Sequence, residues 1–218
     1  MSLDSVLGLV QTALELGLIS SLTVLALFLS YSMLGVCDLS TDGCFTLGAT
    51  VGAAVAIAGH PYLSIPAAML CGMLSGFVTA VLQTKMGVNS LLSGIIVMTG
   101  LYSVNLHIAG RANVQLFSFQ TLFKNEFIAG LPSGIQPYAP VILMALISLV
   151  VKLLMDAYLS TRSGFLLRAT GDNPTLVASL AKDSGKVKIL GLAIANALVA
   201  LSGCIMCQYQ RYFDISMA

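Results

Sequence analysis

Two carboxylates interrupt a long apolar stretch in the first quarter of the chain. Asp38 and Asp42 stand in the segment DLSTDG, between uncharged runs that reach back to Glu15 and forward to Thr84. Carboxylates inside a membrane are typical of ion or proton pathways, because a charge that faces lipid is costly. In a loop, Asp, Ser and Gly form an ordinary turn. The segment therefore predicts either a short cytoplasmic turn or a break within the membrane beside a pathway.

Other polar side chains lie inside apolar segments further along. Such residues usually hydrogen-bond to neighbouring helices, and the alternative is that they line a translocation pathway. Asp38 and Asp42 would then be intramembrane acids that face the interior of the bundle. The candidate pathway residues are Asp38, Ser40, Asp42, Asn89, Ser93, Asn105 and Asn196.

A second candidate surface lies in the polar interval 156–188. With Lys152 at its edge, this interval holds six of the ten basic residues. Lys and Arg gather on the cytoplasmic side of membrane spans, so the interval is predicted to be a cytoplasmic loop.

A short helix is predicted inside this loop. Asn173 suits its N-cap, Pro174 its first position and Gly185 a left-handed stop, which gives a helix from Pro174 to Ser184. Its apolar residues recur at helical spacing, so the helix is amphipathic and either packs on the protein's own spans or the lipid interface, or docks on a partner. The apolar positions are Leu176, Val177, Leu180 and Ala181.

The composition indicates which kind of secondary structure positions the candidate pathway residues and the loop helix. With 57% hydrophobic and 9% charged residues, the chain is unlike a soluble domain, in which about 25% of residues are charged. Because a span needs roughly 20 apolar residues, we expect an all-α, polytopic bundle with about six spans. Gly48 with Gly52, and Gly72 with Gly76, predict closely packed helices. The predicted spans are 15–38, 43–58, 62–83, 88–109, 140–155 and 189–208.

Two stretches resemble a known family. The run from Thr161 to Gly203 is similar to the signature region of the membrane-spanning permeases of ABC importers, in the branch for branched-chain amino acids and simple sugars. The run from Gly35 to Ala53 resembles the I-D-L-S-x-G segment of that branch, with Cys37 in place of Ile. The resemblance implies a single permease domain over 1–218, with a discontinuous helix near Asp38–Gly43. Relatives continue past Asp214, so we expect the chain to be shortened at its C-terminus.

The resemblance also implies partners. The loop helix would be a coupling helix that docks on a separate ABC ATPase, and the outer loop 111–137, with Arg111, Lys124 and Glu126, would meet an extracytoplasmic substrate-binding protein. A second permease subunit, expected to be an identical copy, would complete the pathway in the plasma membrane of a prokaryote, among membrane lipids. The expected coupling residues are Gly171, Asp172, Asn173, Pro174, Leu176, Val177, Leu180, Lys182, Asp183 and Gly185.

No catalytic motif is found in the sequence. Lys186 follows Gly185, but Val187 stands where a phosphate-binding loop needs Ser or Thr, and Leu180 where it needs Gly. The chain is therefore not expected to be an enzyme or to bind a cofactor or metal, and ATP and Mg²⁺ belong on the partner ATPase. Basic residues gather at one membrane face, which excludes a nucleic-acid surface.

The solute and the energy source have alternatives at this stage. The resemblance favours an amino acid, aromatic or branched, over a sugar. A transporter of another class, driven by an ion gradient, would use Asp38 and Asp42 as its coupling carboxylates.

Overall fold

Among the described residues, six helices are long and apolar enough to cross a membrane. The computed structural model describes residues 3–123, 136–179 and 183–217. The helices confirm the polytopic all-α architecture that the hydropathy predicts. They are α1 (Leu3–Leu27, continued by a π-helix at Phe28–Met33), α2 (Ser40–Ile57), α3 (Ser64–Thr84), α4 (Ser90–Ala109), α5 (Ala139–Leu159) and α8 (Ser184–Gln210).

Short elements join these spans. Helices α6 (Arg162–Asp172) and α7 (Pro174–Ser179) connect α5 to α8, and a 3-10 turn at Gln136–Tyr138 leads into α5. Strand β1 (Asn113–Gln115) follows α4, and β2 (Tyr212–Asp214) follows α8. The two strands pair antiparallel. The C-terminal ends of α4 and α8 therefore lie at the same face of the bundle.

Helix α8 is the centre of the bundle, and glycines let its neighbours approach it. A Cβ added to Gly48 would lie 2.0 Å from the carbonyl oxygen of Ala200, and one on Gly72 would lie 2.5 Å from the Ala200 side chain. Gly52 and Gly76 face α8 in the same way. Both glycine pairs therefore form the close helix contacts that their spacing predicts.

The chain reverses direction between Met33 and Ser40. Helix α2 runs parallel to α8, since Cys44 donates to the carbonyl of Asn196 and Gly48 packs one turn further along at Ala200. Helix α1 runs antiparallel to α8, because Ser202 donates to the carbonyl of Ile19 and Glu15 meets Tyr209.

This reversal corrects the position of the predicted break. The helical structure is interrupted at 34–39, so Ser40–Gly43 already belong to α2 and the discontinuity ends before the predicted segment does. The chain also reverses its direction at this interruption, whereas the two halves of a discontinuous helix would continue in the same direction. The reason is local: the carboxylate of Asp38 accepts a hydrogen bond, 2.9 Å, from the backbone N–H of Ser40 and so satisfies a free donor at the start of α2.

The distribution of basic residues predicts that the face that carries α6 and α7, called the cytoplasmic face below, lies toward the cytoplasm. In the described part of the chain, Arg111 and Arg211 lie at the opposite face, beside the β-ribbon. The N-terminal end of α1 lies at this opposite face, because α1 runs antiparallel to α8, and the count of spans predicts that this face is the outer one. At or near the cytoplasmic face are Lys85, Lys152, Arg162, Arg168, Lys186 and Lys188.

The cytoplasmic loop differs from its prediction in two ways. Arg162–Asp172 forms a helix, α6, that was not expected. Gly185 is not a left-handed stop but a residue of the first turn of α8, which begins at Ser184. The carboxylate of Asp183 caps α8 by accepting from the N–H groups of Gly185 and Lys186. The cap starts α8 five residues before its predicted beginning at Ile189.

Candidate functional site

A buried polar network joins the 34–39 turn to three helices. Asp38 is 5% exposed, and the side-chain amide of Asn196 on α8 donates to its Oδ2 at 2.9 Å. Thr79 on α3 donates to the hydroxyl of Ser40 on α2 at 3.1 Å. Because both carboxylate oxygens of Asp38 are hydrogen-bonded, this acid ties the turn to α8 and does not face lipid.

One atom of the network is unpaired. The side-chain oxygen of Asn196 is buried and has no hydrogen-bond partner among the described residues. Its backbone carbonyl accepts from the thiol of Cys44 at 3.2 Å. Asn196 therefore contacts both α2 and the turn before it, which makes it the central residue of the network.

Asp42 has a different environment from Asp38. Its side chain is exposed, and it lines a cleft of about 310 Å³ between α2 and α4. The cleft is lined by Asp42, Gly43, Thr46, Met98, Thr99, Tyr102, Ile215 and Ser216.

Asn105 hydrogen-bonds to two residues that line this cleft. It is fully buried, and its amide donates to the hydroxyl of Thr46 at 2.8 Å and to the carbonyl of Gly43 at 3.3 Å. These bonds hold α4 against α2, as expected for polar residues between membrane helices. Asn105 therefore supports the cleft but does not itself line it.

Two of the predicted pathway residues stabilise the start of α4. The side-chain oxygen of Asn89 accepts from the N–H of Leu91 at 3.0 Å, so Asn89 is the N-cap. Ser93 is buried and donates to the carbonyl of Ser90 at 2.8 Å. Neither lines the α2–α4 cleft. The structure thus brings Asp38, Ser40 and Asn196 together, whereas the side-chain hydrogen bonds of Asn89 and Ser93 lie within the start of α4.

Sequence reasoning missed a polar cluster at the outer end of the bundle. Glu15 of α1 is buried and accepts from the hydroxyl of Tyr209 on α8 and from the amide of Gln11 at 3.1 Å. The spacing of four between Gln11 and Glu15, inside an apolar helix, is the signal that could have indicated a buried pair.

The outer loop enters the same end of the bundle. The ring of Phe123 lies edge-on to that of Tyr209, with centroids 6.0 Å apart, and the N–H of Leu122 donates to the side chain of Gln208 at 3.0 Å. Of the residues proposed to meet a binding protein, Arg111 is exposed, whereas Lys124 and Glu126 lie outside the described residues. Residues 122–123 of the loop therefore pack on the outer end of α8.

On the cytoplasmic side, α6 packs directly on the turn that leads to Asp38. A Cβ added to Gly171 would lie 2.1 Å from the carbonyl oxygen of Met33, and the carbonyl of Gly171 faces Gly35, whose φ is +64°. Glycine tolerates this backbone conformation without strain. The end of α6 therefore contacts the turn at Gly35, three residues before Asp38.

The predicted coupling residues divide by exposure. Asp172, Asn173 and Asp183 are exposed. Val177 is 1% exposed, so its side chain packs on this chain itself, which corrects its assignment as an apolar contact for a partner. Leu180 and Lys182 lie outside the described residues, as does the side chain of Leu176; Pro174 begins α7, as predicted.

An exposed aromatic on α6 was not predicted. Phe165 is 61% exposed, and Arg162 and Arg168, three residues before and after it, are also exposed. Thr161 caps this helix by accepting from the N–H of Gly164 at 3.4 Å. The signal in the sequence was this cap followed by an apolar triplet, within an interval whose overall polarity concealed it.

Over the described ranges, His, Cys, Asp and Glu side chains form no group that could hold a metal ion. The polar groups above instead hold helices to one another, hold a turn in place, or line an open cleft.

Comparisons with known proteins agree with this arrangement. A family model described as branched-chain amino acid transport system / permease component matches residues 9–218. The tyrosine transport system permease protein of Clostridioides difficile (strain R20291) is 39% identical over 201 residues, which cover 92% of this chain and 64% of that protein. An uncharacterized protein of Rickettsia prowazekii (strain Madrid E) is 32% identical over 211 residues, 97% of this chain and 72% of that protein.

No solved structure matches the chain. The chain spans just under two thirds of the length of the tyrosine permease. The match of the family model nonetheless extends over nearly all of the sequence, and six apolar helices agree with a multi-pass membrane protein. The chain belongs to the family of permease components of branched-chain amino acid transport systems.

Proposed function

We propose that the chain is the membrane-spanning permease subunit of an ATP-driven amino-acid importer. The observation that carries the proposal is the contact between α6 and the turn before α2, at Gly171 and Met33. It gives a cytoplasmic partner a direct mechanical connection to the buried Asp38. The similarity to a tyrosine transport permease supports an amino acid, aromatic or branched, as the solute.

Coupling proceeds through a short series of contacts. A partner that moves α6 displaces Gly171, which pushes on Met33 and the turn. The turn holds Asp38, whose carboxylate is bonded to Asn196 near the middle of α8. Since α8 also follows α7 in the chain, both ends of the cytoplasmic segment act on the same buried network. Rocking of helices around this network would give alternating access to the two sides.

The docking surface for the ATPase combines α6 with the α7 region. Phe165 supplies an exposed apolar anchor, and aromatic residues flanked by arginine are typical of the energetic centre of an interface. Asp172, Asn173 and Asp183 form the exposed rim. ATP and Mg²⁺ would be bound by the ATPase and not by this chain.

Two further partners follow from the same function. A second permease subunit would complete the pathway across the plasma membrane of a prokaryote. A substrate-binding protein would deliver solute to the outer face, where Arg111 and the β-ribbon are exposed and where Lys124 and Glu126 belong by sequence.

The test is recovery of an ATPase subunit with the tagged permease, expressed at its own chromosomal locus and purified in mild detergent. Phe165→Glu places a charge at the centre of the proposed interface, and we expect recovery to fall at least about tenfold. Phe117→Glu is the matched control, because Phe117 is equally exposed, 59% against 61%, but lies in the outer loop. Full recovery with Phe165→Glu, or no ATPase with the unmodified chain, would contradict the proposal.

A further inference from the structure

Asp42 is an exposed carboxylate without a cationic partner. In the part of the chain that the structure describes, the ion pairs are Lys152 with Asp156 and Lys186 with Asp183. The residues that line the cleft with Asp42 include no Lys or Arg. An ionised side chain in this condition stays charged only where water or a cation reaches it.

Asp42 also lies deep in the membrane. Helix α8 has 27 residues, and Asn196, twelve residues from its start, is about 18 Å along an axis of about 40 Å. Cys44 contacts Asn196, and Asp42 is half a turn before Cys44 on the parallel helix α2. The carboxylate is therefore near the middle of the hydrocarbon layer, where facing lipid is costly. The α2–α4 face must meet water or another polar surface.

The lining of the cleft beside Asp42 is complementary to a small amphipathic ligand. The Asp42 carboxylate forms part of the lining, and the side chains of Met98 and Tyr102 form an apolar and aromatic wall. The volume of about 310 Å³ is at the lower end of the range for small-molecule sites. The hydroxyl of Thr99 is engaged with the carbonyls of Ile95 and Ile96, so the carboxylate is the dominant polar group.

We infer that the α2–α4 cleft binds the ammonium group of the transported amino acid, with the Asp42 carboxylate as its counter-ion. The inference rests on the proposed function. An ammonium group is a compact cation with N–H donors, and carboxylate acceptors bind such groups through charge-assisted hydrogen bonds. Met98 and Tyr102 then contact the solute side chain. The Asp42 end of the cleft is close to the bilayer midplane, where transporters typically hold their solutes, and the cleft extends from there to Ile215 and Ser216 after the β-ribbon.

The test uses thiol labelling of Thr99→Cys, in the permease–ATPase complex reconstituted in vesicles, on a Cys37→Ser, Cys71→Ser background. A cationic methanethiosulfonate reagent should react faster than an anionic one, because Asp42 attracts the first and repels the second. For a unit charge about 4 Å away in water, the attraction should raise the first labelling rate by about fivefold and the repulsion should lower the second by about fivefold. Asp42→Asn should remove the preference, and Asp42→Glu should keep it.

Protection by solute analogues tests the ammonium group directly and needs no Asp42 variant. L-tyrosine and tyramine carry the group and should slow labelling at Thr99→Cys, whereas 3-(4-hydroxyphenyl)propionate lacks it and should not. Equal protection by all three compounds, absence of labelling, or a charge preference unchanged in Asp42→Asn would each overturn the inference.

ATP-driven uptake of L-tyrosine, measured on the same vesicles with the substrate-binding protein added, separates this inference from the proposed function. Uptake without selective protection refutes only the Asp42 site. Selective protection without ATP-driven uptake refutes only the importer.

Discussion

The hydrogen bond between Asn196 and Asp38 connects residues 158 positions apart in the chain. Sequence reasoning identified both residues as polar members of apolar segments, but no local pattern indicates that they meet. The pairing depends on the parallel packing of α2 on α8, which is a tertiary property. The types of these residues were therefore predictable, and their partnership was not.

Asn196→Leu replaces the donating amide with an apolar side chain that branches at the same carbon. We expect the free energy of unfolding to fall by about 1–3 kcal/mol, because the Asp38 carboxylate then loses one of its buried partners. Titration with SDS in mixed micelles measures this change. Thr99→Val is the control, since Thr99 is exposed and bonds only to its own helix; equal stability of Asn196→Leu and the unmodified protein would refute the role given to the network.

At the scale of elements, close helix contacts decide how the bundle packs. The spacing of Gly48 and Gly52 predicted a close approach, and it occurs on α8. What the spacing could not indicate is which helix approaches, because a G-x-x-x-G pair describes only one of the two surfaces. The central place of α8 followed only from the structure.

Gly48→Ala tests this packing. The added Cβ would lie 2.0 Å from the carbonyl oxygen of Ala200, so α2 must move away from α8, and overpacking of this kind typically costs about 1–3 kcal/mol. Gly100→Ala on α4 is matched to it, because a Cβ there meets nothing within 4 Å. Thermal unfolding in detergent should show a lower midpoint for Gly48→Ala alone; a similar midpoint for both variants would argue against a close contact.

The outer β-ribbon has a pH dependence whose sign follows from Asp214. The Asp214 carboxylate accepts hydrogen bonds from the hydroxyl and the N–H of Ser216 and from the side-chain amide of Asn113. These bonds, with that of the Ser216 hydroxyl as the largest cause, hold the pKa of Asp214 below its ordinary value of 3.8. Protonation weakens these bonds, so their contribution is present above about pH 3.8 and is lost as the pH falls through the lowered pKa. The ribbon should therefore stay ordered at neutral pH.

Asp214→Asn reproduces the uncharged state at neutral pH. We expect faster hydrogen exchange at the Ser216 amide, measured by mass spectrometry, because a neutral acceptor holds that N–H less strongly than a carboxylate does. Asp156→Asn, on the cytoplasmic side, should leave exchange at Ser216 unchanged. Unaltered exchange in Asp214→Asn would show that the carboxylate does not order this turn.

At the scale of the whole molecule, the number of spans in the described residues was predictable from hydropathy, whereas the cytoplasmic side stays a prediction from the positions of Lys and Arg. The starts of α2 and α8 were not predictable, because at each one a carboxylate accepts hydrogen bonds from backbone N–H groups of the first turn, Asp38 at α2 and Asp183 at α8. Both carboxylates lie in segments that were interpreted as loops. The burial of Val177 was also beyond the sequence, since an apolar residue on a cytoplasmic helix packs inward or outward according to its neighbours.

The same contacts define how the molecule would work. Helix α6 is held against the turn by Gly171, so enlarging that residue should separate the cytoplasmic segment from the buried network. For Gly171→Leu we expect ATP hydrolysis by the assembled complex to continue while solute uptake falls at least about tenfold, since the side chain would overlap the Met33 carbonyl. Uptake at the unmodified rate would refute the proposed route of coupling.

The most direct measurement is uptake of L-tyrosine into vesicles that contain the permease with its copurified ATPase, with the energy source varied. The importer proposed here predicts uptake that requires ATP and a binding protein and does not respond to proton or sodium gradients. Uptake that follows an ion gradient without ATP, and that is lost in Asp38→Asn, would contradict it and favour an ion-coupled transporter.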